Sequence, residues 1–159
     1  YQLSQALQWF GGSRVQDVFD KAWELRSRVG MKDRMLLEGY RAGLRGKNDE
    51  ALAIYEEMLS RWPDDREALE ISAGIEWANG RCDEARALYG RAMDLYPDDR
   101  GIANSQVYVL LDMHKTGEAL ALAQELTRKF PENANAWDTL GEIYVAAAES
   151  DNAIVASRR

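Results

Sequence analysis

Three prolines divide this chain of 159 residues at a constant interval of 34 positions. A fixed period of about 20 to 50 residues is typical of a stacked-repeat architecture. Proline ends a helix, and an Asp or Asn close behind it can cap the next one, so each proline predicts a boundary between two helices. The three predicted turns are Pro63-Asp64-Asp65, Pro97-Asp98-Asp99 and Pro131-Glu132-Asn133.

The same helical stripe recurs upstream of each proline. An alanine stands twelve residues before the proline, a Tyr or Ala follows four positions later, and an apolar residue comes three positions after that. The i, i+4, i+7 spacing is that of one buried helix face, and its small first member lets two helices approach closely. The three stripes are Ala51/Tyr55/Met58, Ala85/Tyr89/Ala92 and Ala119/Ala123/Leu126.

A second turn is predicted seventeen residues before each proline, at Gly46, Gly80 and His114. Glycine suits a left-handed residue that ends a helix, and His tolerates that backbone better than branched residues do. Each period therefore has room for two short helices. Val, Ile and Thr never alternate over a useful length, so no strand is predicted and the expected fold class is all-α.

Together these features resemble the tetratricopeptide repeat (TPR) family. The resemblance rests on the 34-residue period, the Gly-x4-Ala spacing, the aromatic residue four positions later and the closing proline. Residues 134–144 also carry the family's Trp-x2-Leu-Gly-x2-Tyr motif. The resemblance implies a right-handed superhelical solenoid of antiparallel helix pairs. We predict one solenoid domain, with a degenerate helix pair at 1–31, repeats at 32–65, 66–99 and 100–133, and an incomplete repeat at 134–159.

The first helices of the repeats depart from the family pattern. Glu38, Ser72 and Gln106 stand where the family has Leu, so these helices are predicted to be more polar than usual. Glu38 and Glu76 are expected near the seam between helices. An unpaired buried carboxylate is costly, so each is expected to have a partner, and nearby arginines are the candidates.

Composition narrows the function classes. A net charge of −7 has the wrong sign for a general binder of nucleic acid, and no apolar run of about 18 residues is present to insert into a membrane. One Cys and one His leave little from which to build a metal site or a nucleophile pair. We predict an inert Cys82, a structural His114, no metal, no cofactor and no catalytic residue, so the chain is not expected to be an enzyme.

The resemblance also implies a binding surface. In the family, the first helices line a concave groove that commonly holds an extended peptide or a partner's helix. On this chain that face is acidic with aromatic anchors, which suits a peptide with basic and apolar residues. It remains open that the aromatic residues belong to the core and the acids to a solvated surface. The predicted peptide-binding residues are Tyr40, Glu70, Trp77, Asn104, Tyr108, Asp138 and Glu142.

Two function hypotheses follow. The first is a non-enzymatic protein–protein interaction module that binds its partner in this groove. The alternative is a regulatory or sensory TPR segment of a larger bacterial signalling protein or enzyme, packing on its own neighbouring domain. The chain begins without Met and stops inside a repeat, so we expect a piece of a longer protein. A cytoplasmic location is expected, with a removed signal peptide as the open alternative, and the incomplete last repeat suggests self-association between copies.

Overall fold

A computed structural model describes residues 19–148, and within that range every regular element is a helix. Residues 19–24 are helical, and a short 3-10 turn follows at Arg26–Arg28. Seven α-helices come next: α1 (Met31–Leu44), α2 (Asn48–Arg61), α3 (Arg66–Ala78), α4 (Cys82–Leu95), α5 (Arg100–Asp112), α6 (Thr116–Lys129) and α7 (Ala134–Ala148). The all-α prediction is confirmed.

The chain forms two compact units, here called the N-unit (residues 1–79) and the C-unit (residues 80–159). In the N-unit, α1 packs on α2 and α2 packs on α3. In the C-unit, α4 packs on α5, α5 on α6 and α6 on α7, and α5 also touches α7. Short turns join the helices, so neighbouring helices within a unit run in opposite directions. The repeat boundaries predicted above and their assembly into one domain stay predictions.

The turns inside the predicted repeats have the expected backbone. Gly46 and Gly80 have φ angles of +71° and +78°, and His114, at the same position of the period, has a φ of +57°. Left-handed residues of this kind end helices because they redirect the last amide groups towards free carbonyls. The predicted structural role of His114 is confirmed.

The aspartates behind the first two prolines cap helices, as predicted. The Asp65 carboxylate accepts a hydrogen bond from the backbone amide of Ala68 at 2.8 Å, at the start of α3. The Asp99 carboxylate accepts from Gly101 and Ile102 at 3.0 and 3.1 Å, at the start of α5. An N-cap oxygen of this kind satisfies amides that have no partner in the first turn of a helix.

The predicted stripes form the core of their units. The three leading alanines are completely buried, which allows the close helix crossings that the pattern predicts. The remaining six stripe residues are at most 6% exposed. The set comprises Ala51, Ala85 and Ala119, followed by Tyr55, Met58, Tyr89, Ala92, Ala123 and Leu126.

Gly39 has a packing role in the N-unit. A Cβ added there would lie 2.6 Å from Cζ of Tyr55, so the absent side chain makes room for the Tyr55 ring against α1. The Tyr55 ring is fully buried, and burial raises the pKa of its hydroxyl well above the usual range. The glycine at the same position of the last repeat, Gly141, faces open space instead.

The polar residues in the Leu position lie at different depths. Ser72 and Gln106 are buried, and the Oγ of Ser72 and the Oε1 of Gln106 have no hydrogen-bond partner. Glu76 is also buried and takes part in a polar interaction, as a buried carboxylate must. Glu38 is only half-buried. The predicted helix at the start of the chain and the second helix of the last repeat lie outside the described residues.

Candidate functional site

The candidate residues of the C-unit lie on two helices that touch each other. Asn104 and Tyr108 are one turn apart on α5, and Asp138 and Glu142 are one turn apart on α7. Residues four positions apart share one face of a helix. Contact between α5 and α7 brings the two pairs together. We call these four residues and Thr139, which lies among them, the C-unit polar face.

A chain of hydrogen bonds connects this face. The Tyr108 hydroxyl donates to the Glu142 carboxylate at 2.8 Å and lies 3.4 Å from the Thr139 hydroxyl. Thr139 in turn donates to the amide oxygen of Asn104 at 2.7 Å. Three of the residues predicted from the sequence therefore belong to one hydrogen-bonded network, with the exposed Asp138 beside it.

The network orients the Asn104 side chain. Its amide oxygen is occupied by Thr139, so its amide nitrogen, with two N–H donors, points away from that bond. This nitrogen makes no hydrogen bond to any described residue, and it is not among the fully buried polar atoms that lack a partner. Asn104 is 6% exposed, and its amide nitrogen is the candidate donor of this face.

The electrostatics of the face follow from its acids. Partial burial raises the pKa of Tyr108, and Glu142 raises it further through its hydrogen bond and its charge, whereas the bond to Thr139 lowers it. The phenol therefore stays protonated and keeps donating to Glu142. Glu142 and Asp138 are both exposed, so a cation that approaches this side of α7 meets two carboxylates.

Thr139 was not among the residues predicted from the sequence. It is almost completely buried, with 1% of its surface exposed, and it joins the two predicted residues of α5. A signal for its burial was present, because Thr139 shares a helix face with the apolar and buried Ala136 and Ile143, although nothing local shows which residues it joins. A polar residue in such a position needs a partner.

The candidate residues of the N-unit are held differently. Glu70 forms an ion pair with Arg66 at 3.0 Å, one turn earlier on α3. Trp77 lies on the same helix, is half-buried and makes a polar or ring contact with another residue. The Tyr40 ring on α1 packs against Phe19, with ring centroids 5.1 Å apart, and partial burial raises the pKa of its hydroxyl.

The metal-ligating side-chain types of the described residues lie apart from one another. Between residues 19 and 148, no group of three His, Cys, Asp or Glu side chains is arranged to hold a metal ion. Cys82 is half-buried at the first position of α4, followed by two acids. None of the helices in this range is long and apolar enough to cross a membrane.

A family comparison accounts for most of the chain. A family model described as tetratricopeptide repeat matches residues 36–100 and 105–157. The chain belongs to the tetratricopeptide repeat family. The TPR prediction is therefore confirmed, and with it the fold class of TPR-like helix pairs. A search of curated proteins found no match to this sequence.

Solved TPR structures share the fold at low sequence identity. MamA (residues 41 to the end) from Desulfovibrio magneticus RS-1 aligns with a TM-score of 0.69 and 22% identity, covering 81% of this chain and 73% of MamA. The Sgt2 TPR domain from Aspergillus fumigatus has a TM-score of 0.66 and 19% identity, with coverage of 82% and 95%. The first TPR domain of Spaghetti (RPAP3), bound to the HSP90 peptide SRMEEVD, has a TM-score of 0.62 and 20% identity, with coverage of 69% and 87%.

Proposed function

We propose that this TPR chain is a non-enzymatic protein-interaction module and that the C-unit polar face binds a peptide segment carrying Lys or Arg beside an apolar residue. The observation that supports this most is the oriented Asn104 amide next to two exposed carboxylates. Together they provide donors for a peptide backbone and charge for a basic side chain. Membership of a family with known peptide-binding domains, such as that of RPAP3, supports the general class.

Each residue of the face has a separate role in this proposal. The Asn104 amide donates to a backbone carbonyl of the peptide. The Asp138 and Glu142 carboxylates attract a Lys or Arg side chain, which raises the association rate more than the final affinity. The half-buried Tyr108 ring offers an apolar or cation–π surface, and its hydroxyl holds Glu142 in position.

The N-unit residues extend the proposal independently. Glu70 exchanges its intramolecular partner Arg66 for a basic side chain of the ligand, which makes its contribution smaller than that of an unpaired acid. Trp77 and Tyr40 supply aromatic surface, and both rings are half-buried. On these contacts we expect the larger part of the binding energy to come from the C-unit polar face.

The proposal is tested by selecting peptides from a random library against the chain and mapping the selected peptides by amide chemical shifts. We expect enrichment of Lys or Arg beside an apolar residue, shifts on α5 and α7, and affinity that falls as salt rises. Acidic peptides, or shifts confined to α4 and α6, would contradict the assigned face. A chain that selects no peptide would favour the alternative of a regulatory segment that packs on its own neighbouring domain.

Two variants test individual roles. Asn104→Asp retains an acceptor for Thr139 but replaces the two N–H donors by a carboxylate oxygen, so we expect binding to weaken at least about tenfold. Asp138→Asn removes one exposed charge and is expected to reduce the association rate and its salt dependence. Glu125→Gln is the matched control, because Glu125 is an exposed acid on α6, away from the face. Equal losses in Asp138→Asn and Glu125→Gln would show that only net charge matters.

A further inference from the structure

Met31 is the most exposed of the five methionines. It stands at the first position of α1, and 55% of its surface is open to solvent. Met35 and Met58 are core residues with 8% and 0% of their surface exposed, and Met93 and Met113 are half-buried. Susceptibility of a methionine to oxidation follows its exposure, so Met31 is the methionine that an oxidant reaches first.

The sulfur of Met31 has a defined neighbour. Nη1 of Arg61, the last residue of α2, donates a hydrogen bond to Sδ of Met31 at 3.5 Å. The same guanidinium is oriented by Glu57, whose carboxylate accepts from Nη2 at 2.7 Å. A thioether sulfur is only a weak acceptor. The contact therefore gives a cationic donor a poor partner, and an oxygen atom on the sulfur would be a better one.

The contact joins two helices at one end of the N-unit. It connects the start of α1 to the end of α2, and the neighbouring Lys32 pairs with Asp65, which lies shortly after α2. Gly30, the N-cap of α1, provides no side-chain hydrogen bond to the first turn of that helix. A stronger bond between Met31 and Arg61 would thus add a link where α1 is otherwise held by few polar contacts.

We propose that Met31 is an oxidation site at which a hydroperoxide converts the thioether into a sulfoxide, and that Arg61 binds the new oxygen. A lone pair of the sulfur attacks one peroxide oxygen, so that the S–O bond forms as the O–O bond breaks. The sulfur loses two electrons, and hydrogen peroxide is reduced to water. One sulfur lone pair faces Arg61 and the other is left for the oxidant. Rotation about the Cγ–Sδ bond then brings the oxygen to the guanidinium.

The expected consequence is opposite to that of methionine oxidation in a protein core. A sulfoxide places a polar, chiral group among apolar side chains in a core such as that around Met58, and this disrupts packing. At Met31 the oxygen would lie at the surface beside a charged donor. The change is also reversible, because enzymes reduce methionine sulfoxide back to methionine. This site does not depend on the function proposed for the C-unit polar face.

The first test treats the whole chain with hydrogen peroxide and follows each methionine by mass spectrometry of its proteolytic peptides. Every sample carries Cys82→Ser, so that the single thiol does not consume the oxidant. We expect Met31 to be oxidised at least about tenfold faster than Met35 and Met58, and faster than the two half-buried methionines. Faster oxidation of any other methionine in the folded chain would overturn the proposal.

The second test compares the melting temperature before and after treatment, at a dose that oxidises Met31 alone. We expect a rise of about 1–3 °C and a shift of the Arg61 side-chain N–H signals in the NMR spectrum. Arg61→Gln should lose the rise, because Gln is shorter and uncharged. Arg86→Gln should keep it, since Arg86 is a matched arginine of the C-unit that also pairs with a carboxylate at 2.7 Å. A lowered or unchanged melting temperature, or an equal rise in Arg61→Gln, would overturn the proposal.

A pair of variants tests the role of the oxygen without an oxidant. Met31→Gln has an unbranched side chain that ends in an amide oxygen, whereas Met31→Leu has no acceptor. We expect Met31→Gln to melt about 1–3 °C above Met31→Leu, and the difference to vanish when both also carry Arg61→Gln. A difference that persists in the Arg61→Gln background would show that the oxygen does not act through Arg61 and would overturn the proposal.

Discussion

Tyr40 and Tyr108 occupy the same position of the 34-residue period, two repeats apart, yet their surroundings differ. The Tyr40 ring packs on Phe19 in a region rich in arginine, and its hydroxyl makes no hydrogen bond to a described residue. The Tyr108 hydroxyl donates to Glu142 beside a second acid. The comparison teaches that the repeat places a side chain on a helix face, while its neighbours decide the chemistry of that face.

The core positions, in contrast to the two tyrosines, have the same surroundings in both units. Ala51 in the N-unit and Ala119 in the C-unit are both completely buried, as is Ala85. These positions face the neighbouring helix, where volume alone decides what fits. The N-unit and the C-unit therefore share their packing and differ in their surfaces, and the predictions below test both halves of that statement.

The largest effect is expected at the buried alanine positions, where the two units have the same packing. Ala51→Arg and Ala85→Arg force a long charged side chain into a close helix crossing, so each should lower the free energy of unfolding by at least about 3 kcal/mol. Ala53→Arg and Ala87→Arg place the same residue at exposed positions of the same helices and should change stability little. Urea melts of the four variants test this prediction. If a buried variant is as stable as its exposed control, the positions assigned to the buried alanines in the period are wrong.

The second-largest effect compares two glycines at the same position of the period, Gly39 in the N-unit and Gly141 in the C-unit. Gly39→Ala should lower the free energy of unfolding by about 1–3 kcal/mol, because the new Cβ meets the buried Tyr55 ring. Gly141→Ala has open space and should raise stability by up to about 1 kcal/mol through helix propensity. Thermal melts of both variants give the sign of each change, and equal signs would remove this distinction between the units.

The third effect compares an ion pair whose carboxylate is buried with one whose carboxylate is exposed. Lys32 pairs with the Asp65 carboxylate, whose side chain is fully buried, so Lys32→Gln should cost about 1–2 kcal/mol by leaving that charge without its partner. Lys129 pairs at 3.0 Å with Asp98, which is 85% exposed, so Lys129→Gln should cost less than about 0.5 kcal/mol. Urea midpoints provide the measurement, and the prediction fails if the second variant loses as much as the first.

The smallest effect is expected from removing the hydroxyl groups of Tyr108 and Tyr40. Tyr108→Phe removes the hydrogen bond to Glu142 and should lower the free energy of unfolding by about 1 kcal/mol. Tyr40→Phe removes a hydroxyl that bonds to no described residue and should be neutral. Amide hydrogen exchange on α5 and α7 supplies the second measurement, since loosening of these helices is expected only in Tyr108→Phe. A destabilised Tyr40→Phe would show that its environment resembles that of Tyr108 after all.

Much of the fold was predictable because each turn signal, weak by itself, recurs at the same position of every repeat. One proline or one glycine marks a turn only weakly, but Gly46, Gly80 and His114 at equal spacing identify the same turn three times, and all three have positive φ. The caps at Asp65 and Asp99 were predictable for the same reason. Their chemistry is local, so a few neighbouring residues contain the whole signal.

The candidate site was predictable only in part. Asn104, Tyr108 and Glu142 could be assigned to one face from their position in the period, but the hydroxyl of Thr139 that connects them could not. The contacts of Arg26 and Arg41 with the Trp23 ring could not be predicted either, because the two arginines are separated along the chain and meet only on that ring. Contacts of this kind depend on rotamers and on the approach of two helices, which no local pattern encodes.

The sequence by itself determined the period, the turns, the helix class and the residues that pack, because these follow from backbone conformation and from the spacing of small and apolar side chains. The tertiary structure alone decided which polar side chains meet, which glycine leaves room for a ring and which charges form pairs. Those outcomes depend on distances of a few ångströms between helices, at which hydrogen bonds and ion pairs form or fail. The repeat therefore explains the framework of this TPR chain, and the contacts across helices explain its candidate binding surface.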